Sequence, residues 1–180
     1  MGLGKSLGLG FLIYVALNFV MQLLLAVAAG AIDLYFDGIT SAPLLFISTS
    51  IAGGTISDPG SSILTAISMG VMLFGMDEIF MGIIMIIVPI VPPLVAAIVV
   101  GKTSESPGKA VLSWFLVMII SAAVPLVISI IDPASTAAGL AAVLALFSGD
   151  ILLTIIYVLI LVLFNTMFWG VVSALLGKED

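Results

Sequence analysis

The sequence predicts an all-α, polytopic helical membrane protein with about six transmembrane helices and one short re-entrant or interfacial helix. Its 180 residues are 63% apolar and only 8% charged, whereas about 25% of residues are charged in ordinary soluble domains. The mean hydropathy is +1.46, and the apolar residues form uninterrupted runs of about 20 residues, the length of a membrane span. These runs are apolar on every face, which excludes the alternating strands of a transmembrane β-barrel.

Six apolar stretches follow one another along the chain and predict one integral membrane domain over residues 1–180. Acidic residues and the pairs Asp58-Pro59, Ser106-Pro107 and Asp132-Pro133 separate them. Such pairs favour a helix start, because the first side chain caps free N–H groups and proline fits the first turn. The predicted spans are residues 9–32, 39–57, 58–76, 79–100, 106–131 and 151–176.

A seventh apolar segment, residues 133–148, is shorter than the others. Its 16 residues would form a helix of about 24 Å, which is short for a bilayer core of about 30 Å. We expect a re-entrant or surface-lying helix here. If the segment crossed, the chain would have seven spans.

The lysines predict the orientation, because positive residues near the ends of spans favour the cytoplasmic side. Lys5, the loop with Lys102 and Lys109, and Lys178 are all expected to be cytoplasmic in a multi-pass protein of the cell membrane. The chain must then cross an odd number of times between Asp33, outside, and Lys102. Three crossings are favoured; one crossing is the alternative, with residues 39–76 as a re-entrant hairpin.

Residues 46–70, FISTSIAGGTISDPGSSILTAISMG, are rich in Ser, Thr and Gly inside this apolar chain. Ser62, Ala66 and Gly70 recur every four residues and form one small-residue helix face. Such faces let helix backbones approach closely in a membrane. We expect tight packing of a helical hairpin, the alternative being the polar lining of a pathway.

The composition argues against several classes of function. The chain has no Cys, His or Arg, and its net charge is −6, so we expect no nucleic-acid partner. The predicted spans hold no acid or base to activate a nucleophile. We therefore expect no enzyme, no metal site and no cofactor. Six acids on the predicted outer side are expected to be solvated ends and caps, the alternative being a vestibule that concentrates cations: Asp33, Asp37, Asp77, Glu78, Asp132 and Asp150.

Two features suggest where a ligand would bind. Asn18 and Gln22 are four residues apart in the first span, hence on one helix face. In the fourth span, VPIVPP removes backbone N–H groups that would reach the carbonyls of Met85 and Val88, and freed carbonyls at membrane depth need partners. Hydrogen bonding between helices and a simple kink are the plain alternatives. The ligand-binding candidates are Asn18, Gln22, Met85, Val88, Pro89 and Asn165.

These features favour a small transport-type protein, meaning a channel, a carrier or a substrate-capture membrane subunit, for a neutral small solute or a cation. The alternative is a non-catalytic structural or assembly subunit of a larger membrane complex. The expected partners are the lipid bilayer and either further copies of this chain or other membrane subunits.

Overall fold

The computed structural model describes residues 2–53 and 59–177, with the side chains of residues 59 and 61 left aside. Within these residues the protein is helical and has no strand. The α-helices are α1 (Leu3–Ala28), α2 (Ile32–Ser41), α3 (Pro43–Ala52), α4 (Pro59–Phe74), α5 (Ile79–Ile87), α6 (Val91–Thr103), α7 (Pro107–Ile131), α8 (Ala138–Leu146) and α9 (Ile151–Leu176), with a 3₁₀ turn at Pro133–Ser135.

Four segments of the described chain are long and apolar enough to cross a membrane: α1, the α5–α6 pair, α7 and α9. The number becomes five if the bent α2–α3 pair is counted as one span. The helical membrane class is thus supported by the structure, whereas the predicted number of about six spans is not confirmed.

The long helices pack as a ring in which α1 and α9 each contact both α6 and α7. Trp114, Val117 and Met118 of α7 are buried in its centre. Near the loop between α6 and α7, a Cβ built at Gly101 would lie 2.6 Å from the carbonyl oxygen of Ser173. Small residues therefore allow close backbone approach at this end of the bundle.

Serine hydroxyls join the helices at the same end. The hydroxyls of Ser6 on α1 and Ser113 on α7 lie 2.7 Å apart, and both side chains are fully buried. The Ser173 hydroxyl donates to the carbonyl oxygen of Ala97 over 3.0 Å, joining α9 to α6. In a membrane such bonds hold helices together where lipid supplies no partner.

The first helix begins and ends earlier than the predicted residues 9–32. It ends because Gly30 adopts a left-handed conformation with φ of 65°. The N–H of Gly30 then bonds to the carbonyl of Val27 over 3.1 Å, and that of Ala31 to the carbonyl of Ala26 over 2.8 Å. This is the Schellman arrangement that closes a helix.

A single helix over residues 39–57 is not formed. Instead, α2 and α3 meet at 113°. Pro43 disfavours the helical conformation of the residue before it, and Ala42 has φ −139° and ψ 61°. Each of the two helices has 10 residues and is about 15 Å long. Residues 54–57 of the predicted span lie outside the described residues.

The stretch predicted over residues 58–76 forms α4, which has 16 residues and ends at Phe74. This is shorter than a typical span of about 20 residues. Asp77, with φ of 63°, closes the helix as Gly30 closes α1, because the N–H of Glu78 reaches the carbonyl of Leu73 over 3.0 Å. The predicted cap Asp58 lies outside the described residues.

The predicted break in the fourth span is present. Backbone helix stops after Ile87 and resumes at Val91, and the N–H of Ile90 bonds back three residues to the carbonyl of Ile87 over 3.1 Å. Pro89 has no N–H to offer the carbonyl of Met85. The two pieces still form one segment of spanning length, Ile79–Thr103.

The helices α7 and α9 begin where the sequence predicts them to begin. Ser106 caps α7 by accepting a bond from the N–H of Lys109 over 3.4 Å, and Asp150 caps α9 by accepting one from the N–H of Leu153 over 3.0 Å. In the loop between α6 and α7, Glu105 pairs with Lys109 at the start of α7, and the Lys109 ammonium group holds the pKa of the Glu105 carboxyl below its usual value.

Residues 133–148 form the 3₁₀ turn and α8, which has 9 residues. At 1.5 Å per residue, α8 is about 14 Å long and too short to cross a bilayer. The segment is therefore a short helix beside the start of α9, as expected from its length.

The small-residue face on α4 packs against α5, as predicted. A Cβ built at Gly70 would lie 2.5 Å from Cγ1 of Ile86 and 2.7 Å from the carbonyl oxygen of Gly82. The two helices form a hairpin whose closest approach is between these two glycines. Ala66 on the same face is buried.

We predict that Gly70→Leu lowers the free energy of unfolding by roughly 1–3 kcal/mol, because a side chain there overpacks the α4–α5 contact. The measurement is a thermal melt in detergent. Gly8→Leu is the control, since nothing lies within 4 Å of a Cβ built at Gly8. Equal melting temperatures for the two variants would contradict the close approach.

Candidate functional site

The short helix α3 packs one face against the bundle and leaves the other exposed: Ser48, Ser50 and Ala52 are buried, whereas Leu44 and Ile47 are exposed. It contacts α1, α2, α7 and the 3₁₀ turn. At its C-terminal end the carbonyl oxygen of Ala52 accepts a hydrogen bond from the Tyr14 hydroxyl over 3.3 Å. Tyr14 is almost fully buried and packs edge-on against Trp114, with ring centroids 6.2 Å apart. The end of α3 is thus held against the middle of α1.

The residue after α3 is Gly53, and it touches Asn18. Gly53 has φ 46° and ψ −128°, a conformation that residues with a Cβ rarely adopt. A Cβ built there would lie 2.7 Å from Cγ of Asn18. The backbone therefore approaches the Asn18 amide as closely as glycine permits.

Asn18 is 94% buried, since its exposed fraction is 6%. Its Nδ2 has no hydrogen-bond partner among the described residues. An unmade hydrogen bond on a buried amide costs about 1–3 kcal/mol. If Asn18 served only to pack helices, its unpaired amide would lower the stability of the fold by this amount.

Two further buried serine hydroxyls have no partner within the described chain: Ser48 Oγ on α3 and Ser121 Oγ on α7. Both side chains are fully buried. Ser121 is further affected by Pro125, four residues later in the same helix, because proline has no N–H to donate to the Ser121 carbonyl. The three elements that carry these atoms, α1, α3 and α7, contact one another. We call Asn18, Ser48 and Ser121 the buried polar junction.

Buried hydroxyls elsewhere in the described chain have partners. Ser6 and Ser113 bond to each other, Ser173 to another helix, and Thr154 and Thr166 to carbonyls one turn earlier in their own helix. The unpaired polar atoms thus lie on α1, α3 and α7, three helices that contact one another.

Charge is absent from this junction. The buried residues of the described chain include no charged side chain. Among the same residues, no group of three or more acidic side chains lies close enough to hold a metal ion. The polar side chains of the junction are one neutral amide and two neutral hydroxyls.

Gln22, the partner predicted for Asn18, also faces α3. Its Oε1 accepts a hydrogen bond from the Ser50 hydroxyl over 3.3 Å. It lines a groove of about 300 Å³ with Tyr35 and Phe46 of α2 and α3. The rings of Phe19, Tyr35 and Phe46 pack edge-on with centroids 5.2–5.9 Å apart. The predicted amide face is therefore a contact face between α1 and α3.

The candidates in the broken span lie elsewhere. Met85, Val88 and Pro89 line a groove of about 410 Å³ together with Ser62 and Ala66 of α4. The break in α5–α6 and the amide face of α1 thus border different grooves.

Asn165, the last predicted ligand residue, is buried in α9, and its side chain bonds to the backbone of the same helix. Its Nδ2 donates to the carbonyl of Leu161 over 3.1 Å. Its backbone carbonyl accepts from Trp114 Nε1 over 3.5 Å, which ties α9 to α7. These bonds indicate a packing role.

Sequence reasoning missed Ser48 and Ser121. Ser48 lies in the polar stretch 46–70, but one serine among many gave no reason to choose it. Ser121 had a weak signal in Pro125, which frees its carbonyl. Neither signal reveals a missing hydrogen-bond partner, since partners come from other helices.

We predict that removing a hydrogen-bonded hydroxyl destabilises the protein, whereas removing an unpaired hydroxyl leaves its stability nearly unchanged. Ser113→Ala removes the hydrogen bond between Ser6 and Ser113, while the Ser6 hydroxyl keeps its bond to the carbonyl oxygen of Leu3 over 3.0 Å. The loss should cost about 0.5–1.5 kcal/mol of stability. Ser48→Ala and Ser121→Ala remove atoms that make no bond within the described protein and should change the melting temperature little. A loss at Ser48 as large as that at Ser113 would show that Ser48 is bonded.

Comparison of the chain with protein families, with curated proteins and with solved structures finds no match.

Proposed function

We propose that this is a transport-type membrane protein whose solute passes, or is captured, at the buried polar junction. The observation that carries the proposal is the set of three buried polar atoms without partners, Asn18 Nδ2, Ser48 Oγ and Ser121 Oγ. Unsatisfied polar groups at membrane depth are tolerated mainly where they line a cavity, a pathway or a binding site.

The shape of α3 supports the same proposal. Short helices that end inside a bundle occur in many transporters, where the free ends of the helix face the solute. Here α3 has 10 residues and ends at Gly53, against Asn18. The gap in α5–α6 is a second interrupted helix of the kind found in such proteins.

We propose four crossings, by α1, the α5–α6 pair, α7 and α9, with both chain ends in the cytoplasm. Four crossings return the chain to its starting side and leave Lys5, Lys102 and Lys109 together, as the positive-inside rule requires. Counting α2–α3 as a fifth span would place the loop at residues 104–106 opposite Lys5. The region from α2 to α4 is then the re-entrant alternative, entering and leaving from the outer side.

A pair of cysteine variants tests this topology, because the chain has no cysteine of its own. Gly4→Cys and Gly108→Cys stand at open positions and should both resist an impermeant maleimide in intact cells and react after permeabilisation. Ala134→Cys, in the exposed turn after α7, should react in intact cells. Labelling of Gly4→Cys and Gly108→Cys from opposite sides would contradict the four crossings.

Transport itself is tested with purified protein in liposomes. We predict entry of at least one of glycerol, urea or Na⁺ several-fold above that into protein-free vesicles. The double variant Ser48→Ala, Ser121→Ala should abolish it while keeping its melting temperature. Ser129→Ala is the control, since its hydroxyl bonds within α7, to the carbonyl of Leu126 over 2.8 Å, away from the junction.

If the wild type moves none of these solutes, the transport proposal fails. The chain would then be better explained as a structural subunit. That alternative expects the double variant to affect only stability or association with other membrane proteins.

A further inference from the structure

A groove between α7 and α9 opens toward the surroundings of the bundle. It measures about 280 Å³, and the side chains that line it are all Ala, Val, Leu or Ile. Ala122, Val158 and Val162 form its floor and are buried, whereas Val127 and Leu159 at its rim are about half exposed. The lining side chains offer no hydrogen bond, so the groove suits a hydrocarbon chain and not a polar solute.

The groove has the length of one leaflet of a bilayer. Its lining residues on α7 run from Ile119 to Ile130, which is about 17 Å at 1.5 Å per residue. Half of a bilayer core of about 30 Å is about 15 Å. Both α7 and α9 are of spanning length, and the groove ends at Ile130, one residue before the end of α7. It therefore covers the depth that the acyl chains of one leaflet occupy.

Two carboxylates lie at the end of the groove that is formed by the end of α7 and the start of α9. Asp132 directly follows α7, and Asp150 caps α9 five residues before Ile155 of the groove. Lys109 stands in the first turn of α7, about 32 Å away along the helix from the last groove residue. A negatively charged headgroup at this end would be repelled, and one that carries an ammonium group would be attracted.

We propose that the groove between α7 and α9 binds an acyl chain of one phospholipid, and that the lipid has a zwitterionic headgroup with a cationic amine, placed beside Asp132 and Asp150. Lipid tails are as apolar as the groove, so the hydrophobic effect does not distinguish this site from the rest of the lipid-facing surface. The recess above Ala122 does, because a chain lying in it is contacted from both helices and gains dispersion attraction on several sides. The site is separate from the proposed transport function and uses none of its residues.

The test is native mass spectrometry of protein purified from vesicles that contain equal amounts of phosphatidylcholine and phosphatidylglycerol. We expect one phosphatidylcholine molecule to stay on each chain under detergent washing that removes other lipid. Ala123→Phe, at an exposed groove position, should lower the retained fraction several-fold. Val171→Phe is the control, since it is exposed on α9 outside the groove. Equal retention by the two folded variants would overturn the site.

The headgroup is tested in the same vesicles with the double variant Asp132→Asn, Asp150→Asn. Asparagine caps a helix about as well as aspartate, so the variant should fold and should lose the preference for phosphatidylcholine over phosphatidylglycerol. Retention of phosphatidylglycerol by the wild type as well as phosphatidylcholine would overturn the proposed headgroup.

Photolabelling of the wild type needs no variant. Phosphatidylcholine with a diazirine in its acyl chain should label mainly the residues that line the groove. Labels spread evenly over the exposed apolar faces of α1, α7 and α9 would mean ordinary surrounding lipid only and would overturn the proposal.

Discussion

The constraint on which this structure depends is that the inside of a bilayer offers no hydrogen bonds. Every N–H, carbonyl and hydroxyl at that depth must find its partner within the protein. The ring of long helices satisfies this requirement with a small number of serine and threonine hydrogen bonds. Ser6 and Ser113 satisfy each other, Ser173 uses a carbonyl of α6, and threonines bond to their own helices. In the described chain the buried side-chain atoms without partners are Asn18 Nδ2, Ser48 Oγ and Ser121 Oγ, on the contacting helices α1, α3 and α7.

Prolines at three positions show how one chemical rule gives different structures. Pro43 turns the chain because Ala42 leaves the helical region, with φ −139°. Val88, before Pro89, keeps helical angles of −53° and −49°, so the span is interrupted and still continues across the bundle. Pro125 is accommodated inside α7 without ending it. The missing N–H is common to all three, and the surrounding packing decides how far the helix departs from its axis.

Length and hydropathy made the membrane class and the four long segments predictable, because a bilayer selects for apolar runs of a given length. The caps Ser106 and Asp150 were also predictable, since a cap depends on neighbours along one helix. The packing face with Gly70 was predictable from the four-residue spacing of small residues within α4. The bend at Ala42 was missed because residues 39–57 are apolar enough for a span, and Pro43 was not weighed. Ser48 and Ser121 could not be identified, because an unmade hydrogen bond depends on what other helices present. The same limit applied to Gln22 and Pro89, which line different grooves.

The distribution of charge along the bundle also bears on the protein's response to membrane voltage. In the proposed orientation, Lys5, Lys102 and Lys109 lie with Glu105 on the side that is negative in an energised cell, and acidic residues such as Asp33 and Asp150 lie on the positive side. Each elementary charge moved across the membrane corresponds to about 2.3 kcal/mol per 100 mV. The resting potential therefore favours this orientation for charges of both signs, and an inverted molecule would be opposed at both of its ends. In that orientation the charged loops resist inversion of the chain in the membrane.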